Sequence, residues 1–149
     1  MTEPKFPSLA LHVAGKWITQ AGGGERMVVD PSDESVLGVL PLASIDEVKM
    51  AAESAAAGFE IWRRKLAHER YLIIRKAAEL MRERAAEIAR VLTLEQGKPL
   101  SESLGEVRYG ADFLRWFSEV TAHVSGRYRP APEGTARHLV VKRPVGPCL

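Results

Sequence analysis

The sequence predicts a mixed α/β chain in which β-hairpins come first, three main helices follow, and a two-stranded arm closes the order. Three observations carry that expectation. The first forty residues alternate short β-branched runs with Gly, Pro and Asp punctuation. A long middle stretch repeats apolar residues by threes and fours. After Ser125-Gly126, two short runs flank a Pro130-Ala131-Pro132-Glu133-Gly134 loop.

Taken in order, Leu9 to Val13 reads as a strand, Ala14-Gly15-Lys16 as a turn and Trp17-Ile18 as its return. Gly22-Gly23-Gly24 breaks the chain before Met27-Val28-Val29. A phosphate-cradling loop needs a strand before it and a helix after it. More strand follows this triplet, so a flexible hairpin connection is expected instead. Asp30-Pro31-Ser32-Asp33-Glu34 is a turn signal, and Val36 to Leu40 resumes the strand. Ser44-Ile45-Asp46-Glu47 has the capping-box pattern, which predicts a helix from there to about Trp62. A second helix is predicted from about His68, with Ile74, Ala77, Ala78, Met81, Ala85, Ile88 and Leu92 on one continuous stripe. Gly97 should end it in the left-handed conformation, with Pro99 blocking continuation. A third helix is predicted from Leu100 to Val124, burying Leu104, Val107, Ala111, Leu114 and Phe117. Arg127 to Arg129 and Arg137 to Lys142 then form the arm. Lone strand pairs are marginal in water, so the arm is expected to pair with something else.

With 149 residues, 46% hydrophobic and 27% charged, the chain has the composition of a globular domain. No stretch reaches the roughly 20 apolar residues that a bilayer span requires. Met1 to Pro7 carries an acid and two prolines where a secretory leader would be apolar, so a cytoplasmic location is the default. The formal charge of +2, from 21 basic and 19 acidic residues, argues against a nucleic-acid partner, and no membrane partner is expected.

Local chemistry is sparse. His12, His68, His123 and His138 are scattered, with no pair at metal-ligand spacing. Cys148 lacks a neighbouring histidine and sits among apolar residues, so it is expected to be a buried structural thiol. Trp116 and Phe117 are expected in the core. Glu95 stands out because a carboxylate at a helix C-terminus is mildly unfavourable, a cost that a cation or Lys98 would offset. The final residues, from His138 to Leu149, read as a strand entering a core, as expected of the front piece of something larger.

Together these segments resemble the front part of the NAD(P)-dependent aldehyde dehydrogenases. The early hairpin Val13-Ala-Gly-Lys-Trp17, then Val28-Val-Asp-Pro-Ser32 with Glu34, Phe59-Glu-Ile-Trp62, Glu69-Arg70, Thr93-Leu-Glu-Gln-Gly-Lys-Pro99 and Pro144-Val-Gly146 occur in the family's order. Gly105-Glu-Val107, the run from Tyr109 to Glu119, Val124 to Arg127 and Pro144 to Leu149 resemble the succinate-semialdehyde branch. Asp30 replaces the family's usual asparagine, and the Thr-Gly pair after Pro31 is missing.

The resemblance implies the aldehyde dehydrogenase fold, N-terminal part only. Residues 1–126 would be the helical and β part of the cofactor-binding domain, 127–143 the oligomerisation arm, and 144–149 the threshold of the cofactor-binding core. It implies an enzyme in which a cysteine thiolate attacks an aldehyde, hydride passes to NAD or NADP, and a glutamate-activated water hydrolyses the thioester. The matching catalytic and cofactor-binding residues would all lie beyond Leu149, so none is assigned here and no cofactor is expected on this stretch. Cys148 does not match the nucleophile's motif. Some family members hold a monovalent cation at positions matching Val29 and Glu95. The helix after Gly-Lys-Pro would flank the substrate tunnel, with Gly105 and Tyr109 on its tunnel side. The implied partners are a small-molecule aldehyde and further copies in a homo-oligomer. The non-enzyme rival is a helical interaction module or truncated gene product that docks on an intact subunit.

Overall fold

A computed structural model describes residues 6–148. Leu149 and residues 1–5, on which part of the reading of the two termini rests, lie outside the described residues. Two hairpins open the chain: β1 (Leu11–Val13) with β2 (Lys16–Ile18), and β3 (Glu25–Val29) with β4 (Val36–Pro41). Four helices follow, α1 (Ile45–Trp62), α2 (Ala67–Glu83), α3 (Ala85–Gln96) and α4 (Leu100–Val120), with a short 3-10 turn at Thr121–His123. The arm is β5 (Arg127–Pro130) paired antiparallel with β6 (Arg137–Val140). No described helix is long and apolar enough to cross a membrane.

Local chemistry explains most boundaries. Ala14 and Gly15 both take positive φ, 51° and 78°, as the tight turn between β1 and β2 requires. Ser44 caps α1 through a full capping box: its hydroxyl accepts the Glu47 amide at 3.3 Å, and Glu47 Oε2 accepts the Ser44 amide at 2.7 Å. The same carboxylate accepts the Gly22 amide at 3.1 Å. These contacts correct the flexible-connection reading of the glycine triplet. Gly23 donates to Leu42 O at 2.9 Å and Leu42 donates to Gly24 O at 2.8 Å, extending the β3–β4 ladder. A Cβ on Gly23 would lie 2.4 Å from Ala43 O, so the triplet serves close backbone approach rather than slack.

The core forms where α2 and α3 pack across α4, and its fully buried positions are small. Ala78, Ala89, Ser103, Val107, Ala111 and Ser118 are buried. Met81 Cε would sit 3.4 Å from a Cβ on Gly110, so the missing side chain lets α2 approach α4 closely. The two buried serines are satisfied: Ser103 and Thr93 share a hydroxyl hydrogen bond of 2.8 Å, and Ser118 donates to Arg115 O at 2.6 Å. Arg82 pairs with Asp112 from α2 to α4. Thr121 Oγ1 donates to Ala67 O at 3.2 Å, tying the end of α4 to the start of α2.

Four further sequence expectations need correction. The long second helix is two helices, because Arg84 leaves helical geometry (φ −97°, ψ 14°) between α2 and α3. The main α-helix of the last pair ends at Val120 rather than Val124, passing into the 3-10 turn and an extended Val124. Trp116 and Phe117, expected in the core, are 66% and 54% exposed. The buried stripe of α4 runs through Ser103, Val107, Ala111 and Ser118, since close helix contact favours small side chains over aromatic ones. Cys148, expected buried, is exposed with its thiol 3.6 Å from Gly146 O, in a segment from Val141 onward that carries no strand. The arm strands pair with each other, and every residue of both is exposed.

Candidate functional site

Two places gather the residues singled out from the sequence. The first is the junction where the turn after β3 meets the end of α3. Gly97 takes φ 70° and ψ 14°, and its amide donates to Thr93 O at 2.8 Å. A Cβ there would lie 2.9 Å from Pro31 Cγ, so the Asp30-Pro31 turn rests directly on this helix cap. Val29 ends β3 immediately before that turn, and Glu95 lies in the last turn of α3, exposed. The fold therefore brings the two segments that carry Val29 and Glu95 into one neighbourhood.

A backbone carbonyl and a carboxylate are hard oxygen donors, the chemistry expected of a monovalent-cation site at Val29 and Glu95. Among the described residues no group of three His, Cys, Asp or Glu side chains could hold a metal. Lys98 does not neutralise Glu95 as the sequence suggested; it pairs forward with Glu106 of α4. Asp30 keeps the turn contact that an asparagine would make. Its Oδ1 accepts the Ser32 amide at 2.8 Å, a bond that an asparagine side-chain oxygen makes equally well. Asp33 Oδ1 accepts the Ser35 amide at 2.9 Å, and hydrogen bonds from Ser35 hold the Asp33 carboxyl below its ordinary value.

The second place is the outer face of α4. Gly105 and Tyr109 are four residues apart and share it, one turn from each other. Both are exposed, and a Cβ on Gly105 would meet nothing within 4 Å. Tyr109 is 63% exposed and meets Phe113 edge-on at 4.7 Å; Phe113 meets Phe117 at 6.1 Å. With Asp112 and Trp116 these rings line a shallow apolar groove of about 390 Å³. Sequence reasoning missed Phe113 and Phe117 as members of this face. Their successive spacing of four, Tyr109 to Phe113 to Phe117, carried the signal, but aromatic character had assigned Phe117 to the core.

The one glycine-rich turn, Gly22 to Gly24, leads into strand β3 and is hydrogen-bonded to Leu42, leaving no amide row at a helix start. The histidines stay apart, with His12 against Trp17 at 4.7 Å and His68 over Tyr71 at 6.0 Å.

Comparison with known proteins bears on what this scaffold belongs to. Residues 17–149 match the sequence profile described as "Aldehyde dehydrogenase family". The chain is 46% identical over 114 residues to a succinate-semialdehyde dehydrogenase of Paenarthrobacter nicotinovorans, covering 76% of this chain and 25% of that protein. A glutarate-semialdehyde dehydrogenase of Pseudomonas putida is 35% identical over 135 residues, covering 91% of this chain and 28% of that protein. The crystal structure of succinate-semialdehyde dehydrogenase from Burkholderia pseudomallei superposes with a TM-score of 0.86 at 36% identity, covering 98% of this chain and 30% of that one. The chain thus spans between a quarter and a third of the length of these relatives.

Proposed function

This chain belongs to the aldehyde dehydrogenase family, and from that premise we propose that it is the N-terminal scaffold of an enzyme that oxidises succinate semialdehyde to a carboxylate with NAD or NADP. Identity of 46% to a succinate-semialdehyde dehydrogenase, over three-quarters of the chain, is the observation that carries the substrate. In this reading the thiolate, the cofactor site and the water-activating carboxylate belong to sequence outside these 149 residues, and the 149-residue chain is inactive. The nicotinamide supplies hydride acceptance when bound elsewhere in the full-length protein. The residues present contribute walls and positioning.

Three local roles follow. The outer face of α4, with Gly105 and Tyr109, forms one wall of the substrate passage, where the small Gly105 leaves room and the aromatic rings exclude water. Val29 O and the Glu95 carboxylate hold a monovalent cation that pins the β3 turn to the end of α3. The arm, β5 and β6, completes a sheet with another copy in a homo-oligomer, which gives its fully exposed strands partners. Exposed apolar side chains on α1 and α4, including Ile45, Ile61 and Phe113, favour this scaffold role over the rival of a self-contained interaction module.

Reading the coding DNA downstream of Leu149 tests the scaffold role. A frame continuing into a Trp-Asn motif and a later cysteine supports it. An immediate stop codon in the genome overturns it.

A further inference from the structure

One cleft in the described fold has a chemistry that neither the aldehyde reaction nor the scaffold role uses. It lies where the end of α1, the start of α2, the 3-10 turn and the segment from Lys142 to Pro144 converge, with a volume of about 570 Å³. That is an ordinary size for a small-ligand site. Arg63, Arg70, Lys142 and Arg143 line it, together with Phe59 and Trp62, and no carboxylate does. A neighbouring cavity shares Phe59, Arg63, Arg143 and Pro144, so the opening continues past Arg143.

The four cations come from three separate stretches of chain, and among the described residues only Arg63 has an acidic partner. Arg63 pairs with Glu60 at 3.1 Å and lies 5.8 Å over the Phe59 ring. Arg70 gives one Nη1 hydrogen to Lys65 O at 2.8 Å, which leaves its charge unpaired. Lys142 and Arg143 make no ion pair among the described residues. Like charges from distant segments repel one another, so converging them without an acid costs stability unless an anion occupies the space. Guanidinium groups present planar donor forks that match phosphate oxygens. Ala67, in the first turn of α2, also faces the cleft. Phe59 and Trp62 supply apolar walls for a flat group beside the phosphates.

We propose that this cleft binds a phosphorylated small molecule, its phosphates held by Arg70, Lys142 and Arg143 and its ring or chain lying against Phe59 and Trp62. The site stands independently of the substrate proposed above, because it shares no residue with the outer face of α4 or the Gly97 junction.

Calorimetric titration of the 149-residue chain with pyrophosphate, and separately with ADP, tests it. The expected result is saturable one-to-one binding with Kd below about 1 mM, tighter for ADP because of the apolar walls. The double variant Lys142→Ala/Arg143→Ala should weaken both ligands about tenfold or more. Lys76→Ala/Arg108→Ala removes the same charge from exposed helix positions outside the cleft and should change neither by more than about twofold. Circular dichroism checks that both doubles keep the parent's helix content, and Arg143→Lys, which keeps the charge, should retain most of the affinity. Equal losses in the two doubles would mean general charge attraction and would overturn the site. So would an absence of saturation up to about 10 mM, or equal affinity for ADP and pyrophosphate, which would remove the apolar walls from the proposal.

Discussion

Gly97 caps α3 and Gly105 lies within α4 of the same bundle, and replacing each with alanine should move stability in opposite directions. At Gly97 the backbone is left-handed, φ 70°, where an L-side chain costs roughly 1–2 kcal/mol. The added methyl would also lie 2.9 Å from Pro31 Cγ, well inside the 3.5–4.0 Å of a comfortable carbon contact. Forcing the proline turn to yield adds about 1 kcal/mol, the lower end of the cost of overpacking. The sum is a loss of about 2–3 kcal/mol. Gly105 lies inside α4 with nothing within 4 Å of its missing Cβ. Alanine there removes the entropic cost of glycine in a helix and should gain about 0.5–1 kcal/mol. Urea unfolding followed by circular dichroism reads both. With a slope of about 2 kcal/mol per molar, Gly97→Ala should lower the midpoint by about 1 M and Gly105→Ala should raise it by a few tenths. A Gly97→Ala midpoint within about 0.2 M of the parent, or shifts of the same sign in both variants, would refute the placement of Pro31 on the α3 cap.

Other perturbations probe the remaining contacts. Ser103→Ala strips Thr93 of its hydroxyl partner across the α3–α4 contact and should cost about 1–2 kcal/mol in the same unfolding assay; adding Thr93→Val should cost less than the sum of the singles, since the bond is already gone. Glu47 is held below its ordinary value of 4.5, chiefly by the Ser44 amide, then by the Ser44 hydroxyl and the Gly22 amide. A depressed folded pKa means that its stabilisation is present above 4.5 and is lost as pH falls through the lower folded value. Thermal melts should therefore decline on the acid side more steeply for the parent than for Glu47→Gln, and parallel acid limbs would count against the cap. A naphthalene-sulfonate dye should fluoresce with the parent chain and less with Phe113→Ser/Phe117→Ser; unchanged fluorescence would remove the outer face of α4 from the account.

How much could be read from the residues depended on how local the physics was. Ser44 and Glu47 find each other within one turn, so the cap of α1 was legible from four letters. Gly97 followed by Pro99 announced the end of α3 for the same reason. Arg84 carried no such mark: a basic residue between Glu83 and Ala85 suits a helix interior, and the one-residue break answers to packing against α4. The stripe of α4 misled in a different way. Hydropathy placed Phe117 inside, but its neighbour Ser118 is the buried one. Tight helix contact selects small side chains whatever their polarity, and their hydrogen bonds satisfy them locally. Gly22 to Gly24 looked like slack until Leu42 and Ala43, twenty residues on, proved to lie against them. The basic cleft is less legible still, because Arg63, Arg70 and Lys142 meet only in the folded chain.

The division of labour between this scaffold and the chemistry is tested most directly by a rate. Purified 149-residue chain is mixed with succinate semialdehyde and either NAD+ or NADP+, and absorbance is followed at the wavelength of the reduced nicotinamide. The account predicts no protein-dependent formation of reduced cofactor with either nucleotide. A saturable rate that scales with the concentration of the chain would contradict it, because the thiolate and the cofactor site would then have to lie within these residues.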